Sequence, residues 1–335
     1  MGVKVLKFSL GFGPKLIGKK IGETEYQIAV FPLGGFVKPL GEDPNEEIKE
    51  EDRHRSFWAQ PVWKRALIIG AGPFFNFFLA ALFFSCVNMI NGIPSIPTIP
   101  PKVEETTPNF PAEQAGIKKG DHILSIDGTD ISKWDDLSRI IRNSKGKDLL
   151  LKVKRDGEIL EIKVTPKSST QKNLFGEEVP VFIIGIAPPP IQVERKKVGP
   201  FLALGYGFIQ TWDGIQLIVI GIVKLIQGAI PADQIGSPIM IAKMAGEQAR
   251  KGILDLAIFT AVISLNLGVL NLFPIPILDG GHFLFLGVEA ILRRPLSIKK
   301  MEIAQQVGLI FIILLMLFAV YNDLIRYFFP GGFRF

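Results

Sequence analysis

Charge-free apolar runs alternate with charged stretches along this chain, and their lengths separate membrane spans from other elements. Residues 66–90 carry no charged side chain, over more than the roughly 20 apolar residues that cross a bilayer. Residues 307–320 form the core of a final span, and residues 257–272 are a largely apolar run before it. Residues 200–228 are apolar too, but Gln210, Asp213, Lys224 and Gln227 fall near one face at helical spacing. That face predicts an amphipathic helix lying in the membrane interface instead of a further span. Over residues 97–188 the period changes. Residues 149–154 and 159–164 alternate like paired strands, and residues 138–143 suggest a helix. Near the N-terminus, residues 26–31 and 36–38 flank Pro32-Leu33-Gly34-Gly35 and read as two short strands around a turn. A solvated, charged loop follows over residues 42–55.

Composition sharpens this division. At 48% hydrophobic the chain is too apolar for an ordinary soluble enzyme, and at 21% charged it is too polar for a pure helix bundle. Segregation into apolar spans and one charged insert reconciles the two. The single cysteine, Cys86, lies inside an apolar run, which excludes a disulfide framework and a cysteine-based metal site. The net charge of +6 comes without any nucleic-acid motif, so no nucleic-acid partner is expected. In a membrane protein, Lys and Arg in short loops record topology. Lys15, Lys19, Lys20, Lys64 and Arg65 precede the first span, and Arg293, Arg294, Lys299 and Lys300 precede the last. Both segments are therefore cytoplasmic. Three spans satisfy every loop, with the insert outside the cell.

The chemistry concentrates in Asn271-Leu272-Phe273-Pro274-Ile275-Pro276-Ile277-Leu278-Asp279-Gly280-Gly281-His282. Pro274 and Pro276 each remove a backbone donor, and lipid offers nothing to satisfy the freed carbonyls. A carboxylate at membrane depth costs roughly 3 kcal/mol or more unless it is paired or binds a cation. The combination points to a protein-lined or watery cavity with Asp279 aimed into it. The alternative is a helix that ends at the interface, with Asp279-Gly280-Gly281 as an ordinary turn.

This segment resembles the third-ligand motif of the site-2 proteases, zinc metalloproteases that cut substrates within the membrane. The likeness is closest to the bacterial RseP-like branch. Gly11-Phe12-Gly13-Pro14, Pro32-Leu33-Gly34-Gly35-Phe36-Val37-Lys38, Gly70-Ala71-Gly72-Pro73-Phe74-Phe75-Asn76-Phe77 and Ser264-Leu265-Asn266-Leu267-Gly268 also resemble that family, in family order. Residues 115–128 resemble the core of a bacterial PDZ domain, with room for one such domain. The resemblance implies zinc, with Asp279 as a ligand. It also implies that Asn266 and Asn271 hold the substrate backbone or the oxyanion, which requires the helix to loosen before Pro274. Gly280 and Gly281 would permit the turn that aims Asp279. Gly34, Gly35 and Phe36 would bind an unwound substrate by strand addition, and the break at Pro274 and Pro276 would admit substrate and solvent. The family's two other ligands are histidines of a His-Glu-x-x-His helix. Here the histidines are His54, His122 and His282, none with a partner four residues away. The chain is expected to be truncated by about one transmembrane helix before Gly2, and to be inactive alone.

The expected fold is a multi-span α-helical membrane protein with a membrane-associated β-hairpin region and an inserted extracytoplasmic PDZ (α+β) domain. Residues 1–61 form the cytoplasmic-side hairpin and loop region, 62–92 a transmembrane helix, 93–190 the PDZ domain and 191–251 amphipathic interfacial helices. Residues 252–285 form the transmembrane helix with the metal motif, 286–302 a cytoplasmic loop and 303–329 the last transmembrane helix. The expected location is the inner membrane of a bacterial cell. Expected partners are the lipid bilayer, single-span membrane substrates such as anti-sigma factors or remnant signal peptides, and a peptide in the PDZ groove. That groove serves equally as a size filter. A membrane PDZ adaptor that binds clients without cutting them is the competing reading. Asn76 is expected as glue between helices, and Glu302 as a solvated carboxylate at a helix start.

Overall fold

A computed structural model describes residues 1–41, 48–95, 97–173, 175–190, 194–294 and 296–328. The chain divides into two units, residues 1–83 with 211–215 and 235–335, and residues 84–210 with 216–234.

The first unit opens with two long strands, β1 (Val5–Ile21) and β2 (Thr24–Pro39), joined at Gly22-Glu23. Their register shows more than a hairpin. Phe8 stands opposite Val37 on one side and Tyr26 on the other, and Leu10 stands between Gly35 and Ile28. Ile17 faces Ile28 from the far side. Each strand therefore doubles back, and four segments lie side by side in the order 17–21, 24–28, 7–10, 35–38. In β1 the reversal coincides with Gly11 and Gly13, both at positive φ (93° and 88°), which a side chain would resist. The two short strands expected at residues 26–31 and 36–38 both lie in β2, but they do not pair with each other around residues 32–35, because the first half of β1 lies between them. Strand β1 itself was not expected, since its glycines and lysines hide the alternation. Alternation then sorts the faces. Ser9, Gln27 and Ala29 are buried, whereas Phe8, Leu10, Ile17, Tyr26, Ile28 and Val37 are exposed. The charged loop expected at residues 42–55 lies outside the described residues over 42–47, and its end, Glu50–Arg55, is a short 3-10 helix.

Helix α1 (Val62–Asn91) follows, with Pro73 inside it. The second unit then runs through β3 (Ile93–Ser95), β4 (Glu105–Thr106), α2 (Pro111–Gln114), β5 (His122–Ile126), β6 (Thr129–Asp130), α3 (Trp134–Asn143), β7 (Leu149–Arg155), β8 (Glu158–Val164), β9 (Lys167–Lys172), β10 (Glu178–Ile183), β11 (Ile186–Ala187) and β12 (Glu194–Lys196). Its main sheet has the order β6-β5-β7-β8. The inward residues of these strands and of α3 make a core of their own, in which Val103, Ile123, Leu137, Leu151 and Val153 are excluded from solvent. Asp121 is buried beside that core. It accepts hydrogen bonds from Arg155 Nε and Nη2, each at 2.7 Å, and from the Lys118 amide at 2.9 Å. Burial pushes this carboxyl up, but Arg155 and the Lys118 amide more than offset it, so it stays below the ordinary carboxylate range. A depressed folded-state pKa stabilises the fold above the unfolded value of about 4. That contribution is lost as pH falls through the folded-state value. In a fragment spanning residues 97–188, the fluorescence of Trp134, its sole tryptophan, is expected to report unfolding that sets in below about pH 4. Asp121→Asn should flatten this acid limb, and an unchanged limb would mean that another group titrates.

Helix α4 (Pro200–Ile226) belongs largely to the second unit, where Asn88 donates to Gln210 and Lys224 pairs with Glu177 at 2.8 Å. The first unit resumes with α5 (Pro238–Lys251), α6 (Ile253–Asn271), α7 (Asp279–Leu292) and α8 (Ile298–Phe328). Residues 252–285, expected as one helix, are thus two helices separated by residues 272–278, and α7 continues into the expected loop 286–302. The start of α5 is tied to α8, because Asp323 accepts from the Ser237 amide and hydroxyl and from the Met240 amide. Among the described residues, four helices are long and apolar enough to cross a membrane: Val62–Asn91, Pro200–Ile226, Ile253–Asn271 and Lys299–Phe328. The second of these is the helix that its polar face assigns to the interface; length and composition alone also allow it to cross.

Candidate intramembrane site

Asp279 is the first residue of α7, with Leu278 as the extended residue before it. The carboxylate thus stands in the first turn of the helix. Residues 272–278 fold back onto the start of the helix. A Cβ at Gly280 would strike the carbonyls of Leu272 and Phe273, and one at Gly281 the carbonyl of Ile275. The two glycines therefore act by close approach. Both are helical, so the expectation that they supply a turn is corrected: they let a broken backbone pack directly on the helix that carries the carboxylate.

Two neighbouring helices complete the surround. A Cβ on Gly72 of α1 would lie 3.0 Å from Asp279 Oδ2, and one on Gly70 3.2 Å from the Phe283 ring. Gly308 of α8 is buried against the bend, where a Cβ would sit 3.3 Å from Pro276 Cδ and Ile277 N. The small residues 70–72 were legible as a helix-packing stripe, but their partner was not. Asn76 joins α1 to α6, with its carbonyl accepting from Ser264 Oγ at 3.0 Å, and the Phe77 ring fills the space at Gly268. The interhelical bond is thus made chiefly by the main chain of Asn76; its side-chain Oδ1 lies 3.5 Å from the same hydroxyl.

The remaining predicted residues are distributed more widely. Asn266 donates to the Val262 carbonyl of its own helix at 2.9 Å. Asn271 is the last residue of α6, which stays helical to that point, so the expected loosening begins only at Leu272. Five residues on a regular helix leave the two asparagines about 140° apart, so they do not share a face. Pro274 and Pro276 both lie in the break. Gly35 stands opposite Leu10 and Phe36 opposite Ser9 in the sheet of the same unit; a Cβ at Gly35 would meet the Ser9 carbonyl. Gly34 is in β2, and its burial lies outside the described residues. His282, one turn after Asp279, meets the Phe285 ring edge-on and lines a cavity of about 420 Å³ with Ile277, Glu302, Gln305, Gln306 and Leu309. Glu302 thus borders a cavity and is not a simple solvated helix start.

A hydrolytic zinc site takes three protein ligands and leaves a fourth position for water. Among the described residues no group of three His, Cys, Asp or Glu side chains could hold a metal ion. Asp279 is one carboxylate, and these residues do not by themselves make a zinc site.

The sequence matches Peptidase family M50 over residues 1–315. It is 35% identical over 338 residues to a provisionally named zinc metalloprotease of Rhizobium meliloti (strain 1021), covering 96% of this chain and 89% of that protein. It is 30% identical over 408 residues to the regulator of sigma-W protease RasP of Bacillus subtilis (strain 168), covering 98% and 92%. Against the regulator of sigma-E protease RseP of Escherichia coli (strain K12) the identity is 31% over 424 residues, covering 97% and 92%. Among solved structures, the HtrA3 PDZ domain bound to a phage-derived ligand is 26% identical, covering 22% of this chain and 81% of that one, with a TM-score of 0.19. The chain belongs to peptidase family M50, the site-2 protease family.

Proposed function

We propose that this protein is a zinc endopeptidase of the bacterial inner membrane that cleaves single-span membrane proteins, anti-sigma factors or remnant signal peptides among them. The observation that carries the reading is Asp279, which opens a helix directly after a proline-broken segment between apolar helices, with Gly72 beside its carboxylate. A carboxylate placed there has a function by default. Zinc is the metal of the relatives' chemistry, and Asp279 is the group of this chain that would bind it. The two histidines of that ligand set are not in this sequence. Asn271, at the end of α6, is the amide next to the break and is proposed to hold substrate backbone. Asn266, bonded to its own helix, would have to release Val262 to do the same.

The sheet fits the proposal in two ways. Its exposed face of Phe8, Leu10, Ile17, Tyr26, Ile28 and Val37, bordered by Lys15, Lys19 and Lys20, suits a membrane-associated position. The segment through Gly34, Gly35 and Phe36 would read an extended substrate, because a helical peptide hides its scissile carbonyls. The test is cleavage of a single-span membrane protein by this chain joined to a His-Glu-x-x-His helix. No cleavage by such a protein, once folded and inserted, would overturn the proposal. It would favour the client-binding adaptor. Clients would then dock in the cavity of about 250 Å³ between α3 and residues 182–186 of the PDZ domain.

Orientation follows from the same proposal. The start of α4 follows closely on β12, and its last turn is salt-bridged through Lys224 to Glu177 in the same unit. Asp213 is exposed midway along it. Both ends near the PDZ domain, and a charge in the middle, support a helix lying on the outer surface. In a Cys86→Ser background, a cysteine at position 145 should react with an impermeant thiol reagent from outside. One at position 297 should react only after permeabilisation. Equal labelling of both from outside would make α4 a fourth span.

A further inference from the structure

Arg65 is counted in the topology argument as a cytoplasmic loop charge, yet it is 3% exposed. Its guanidinium makes a two-pronged pair with Glu289 of α7, with Nη1 to Oε2 at 3.0 Å and Nη2 to Oε1 at 2.5 Å. Its Nε donates to the Gln60 carbonyl at 3.0 Å, and the Trp58 ring lies 5.0 Å from its Cζ. All three nitrogens and one face of the fork are thus engaged, an arrangement in which a buried ion pair fixes geometry. A lysine could not reproduce it, having a point charge and no planar fork.

The pair lies at one end of a contact that has the proposed site at its other end. Going up α1 through positions 65, 70 and 72, the partners on α7 are Glu289, Phe283 and Asp279 in turn. The helices are therefore antiparallel, and side chains of α7 rest on Gly70 and Gly72. The two glycines give α1 no side chain of its own to interlock there; the charged fork adds a directional contact. Behind the fork, Gln60 Nε2 donates to the His54 carbonyl, and the Phe57 amide donates to the Leu40 carbonyl. Leu40 donates in turn to Lys4, and Lys4 to Arg55, so the support reaches the residues that adjoin the start of β1 and the end of β2.

We infer that Arg65 and Glu289 are positioning residues that lock α7 in one register on α1 and thereby hold Asp279 at a fixed place relative to the β1–β2 sheet. The importance of that register rests on the reading of Asp279 and the sheet proposed above. The register itself does not, and it can be measured with no peptide bond cut.

The test uses cysteine pairs in the full chain, in membranes, with Cys86→Ser. Gly70→Cys with Phe283→Cys reports α1 against α7, and Asn76→Cys with Ser264→Cys reports α1 against α6. A short bifunctional methanethiosulfonate reagent joins each pair. Arg65→Lys and Glu289→Gln are each expected to lower the rate of the 70–283 cross-link by about fivefold, because small misplacements of a close contact carry large effects. The 76–264 rate should stay within about twofold, the scatter expected of a site outside the network. An unchanged 70–283 rate in both variants overturns the inference. An equal fall in both cross-links also overturns it, since the pair would then serve folding in general. If the 70–283 rate responds as expected but the chain joined to a His-Glu-x-x-His helix cuts nothing, the register stands and only the protease reading fails.

Discussion

Asp279→Ala is expected to lower cleavage of a single-span membrane substrate by more than about a thousandfold, with the chain supplied with a His-Glu-x-x-His helix. Glu302 lines a cavity with Ile277 and His282, but it stands on α8, whereas the Asp279 carboxylate lies against Gly72 of α1, so Glu302 is not placed to replace the lost oxygens. The fold should survive. In the first turn of α7 the dipole benefit of a carboxylate, roughly 0.3–1 kcal/mol, is opposed by the cost of burying it, so its loss does not unfold the chain. Equal abundance and equal membrane insertion of the variant separate lost chemistry from lost protein. Asn271→Ala should reduce turnover much less, because this neutral amide is proposed to hold substrate backbone and not the metal. Full activity in Asp279→Ala would refute the assignment of this carboxylate outright.

The second large effect lies in the domain of residues 97–188. Arg155→Ala leaves Asp121 excluded from solvent with only the Lys118 amide to hold its charge. Breaking a buried pair on one side costs about 3–5 kcal/mol, a large part of the stability of a domain this size. Arg155 also holds the Gly116 carbonyl at 2.7 Å, so the turn that precedes β5 loosens as well. Urea unfolding of the fragment spanning residues 97–188, which carries its own core, measures the loss. Removing both charges with Asp121→Asn and Arg155→Met should cost less than Arg155→Ala alone, since no unpaired ion then remains. A loss below about 1 kcal/mol for Arg155→Ala would place the pair among ordinary surface ion pairs.

The elements read most easily from the sequence were those whose signal is one-dimensional. Residues 66–90 had to be a long apolar helix, and α1 runs Val62–Asn91. The alternation in residues 149–154 and 159–164 is that of β7 and β8, which pair from Leu149–Val164 to Arg155–Glu158. The order of motifs carried the family, and the prolines with Asp279 marked the segment where a helix must break. Such features follow from apolar length, from period and from missing backbone donors, all of which belong to the chain before it folds.

What the sequence could not supply was which segments meet. Nothing in the spacing of Gly11 and Gly13 says that β1 doubles back to place its first half between two parts of β2. The width of the break, and the role of Gly280 and Gly281 as contact surfaces for its carbonyls, depend on a chain reversal that no local propensity encodes. Asn266 and Asn271 fit a motif but stand on different faces of an unbroken helix. Gly72 is one small residue among several until Asp279, more than 200 positions away, is folded against it. Arg65 read as a topology charge because it precedes a span; only Glu289 on α7 makes it a buried fork. Local pattern fixes where helices and strands form and where a carboxylate enters an apolar layer. Tertiary packing alone decides which glycine it lies against and which ion pair holds it there, because those contacts join residues whose separation along the chain carries no periodic signal.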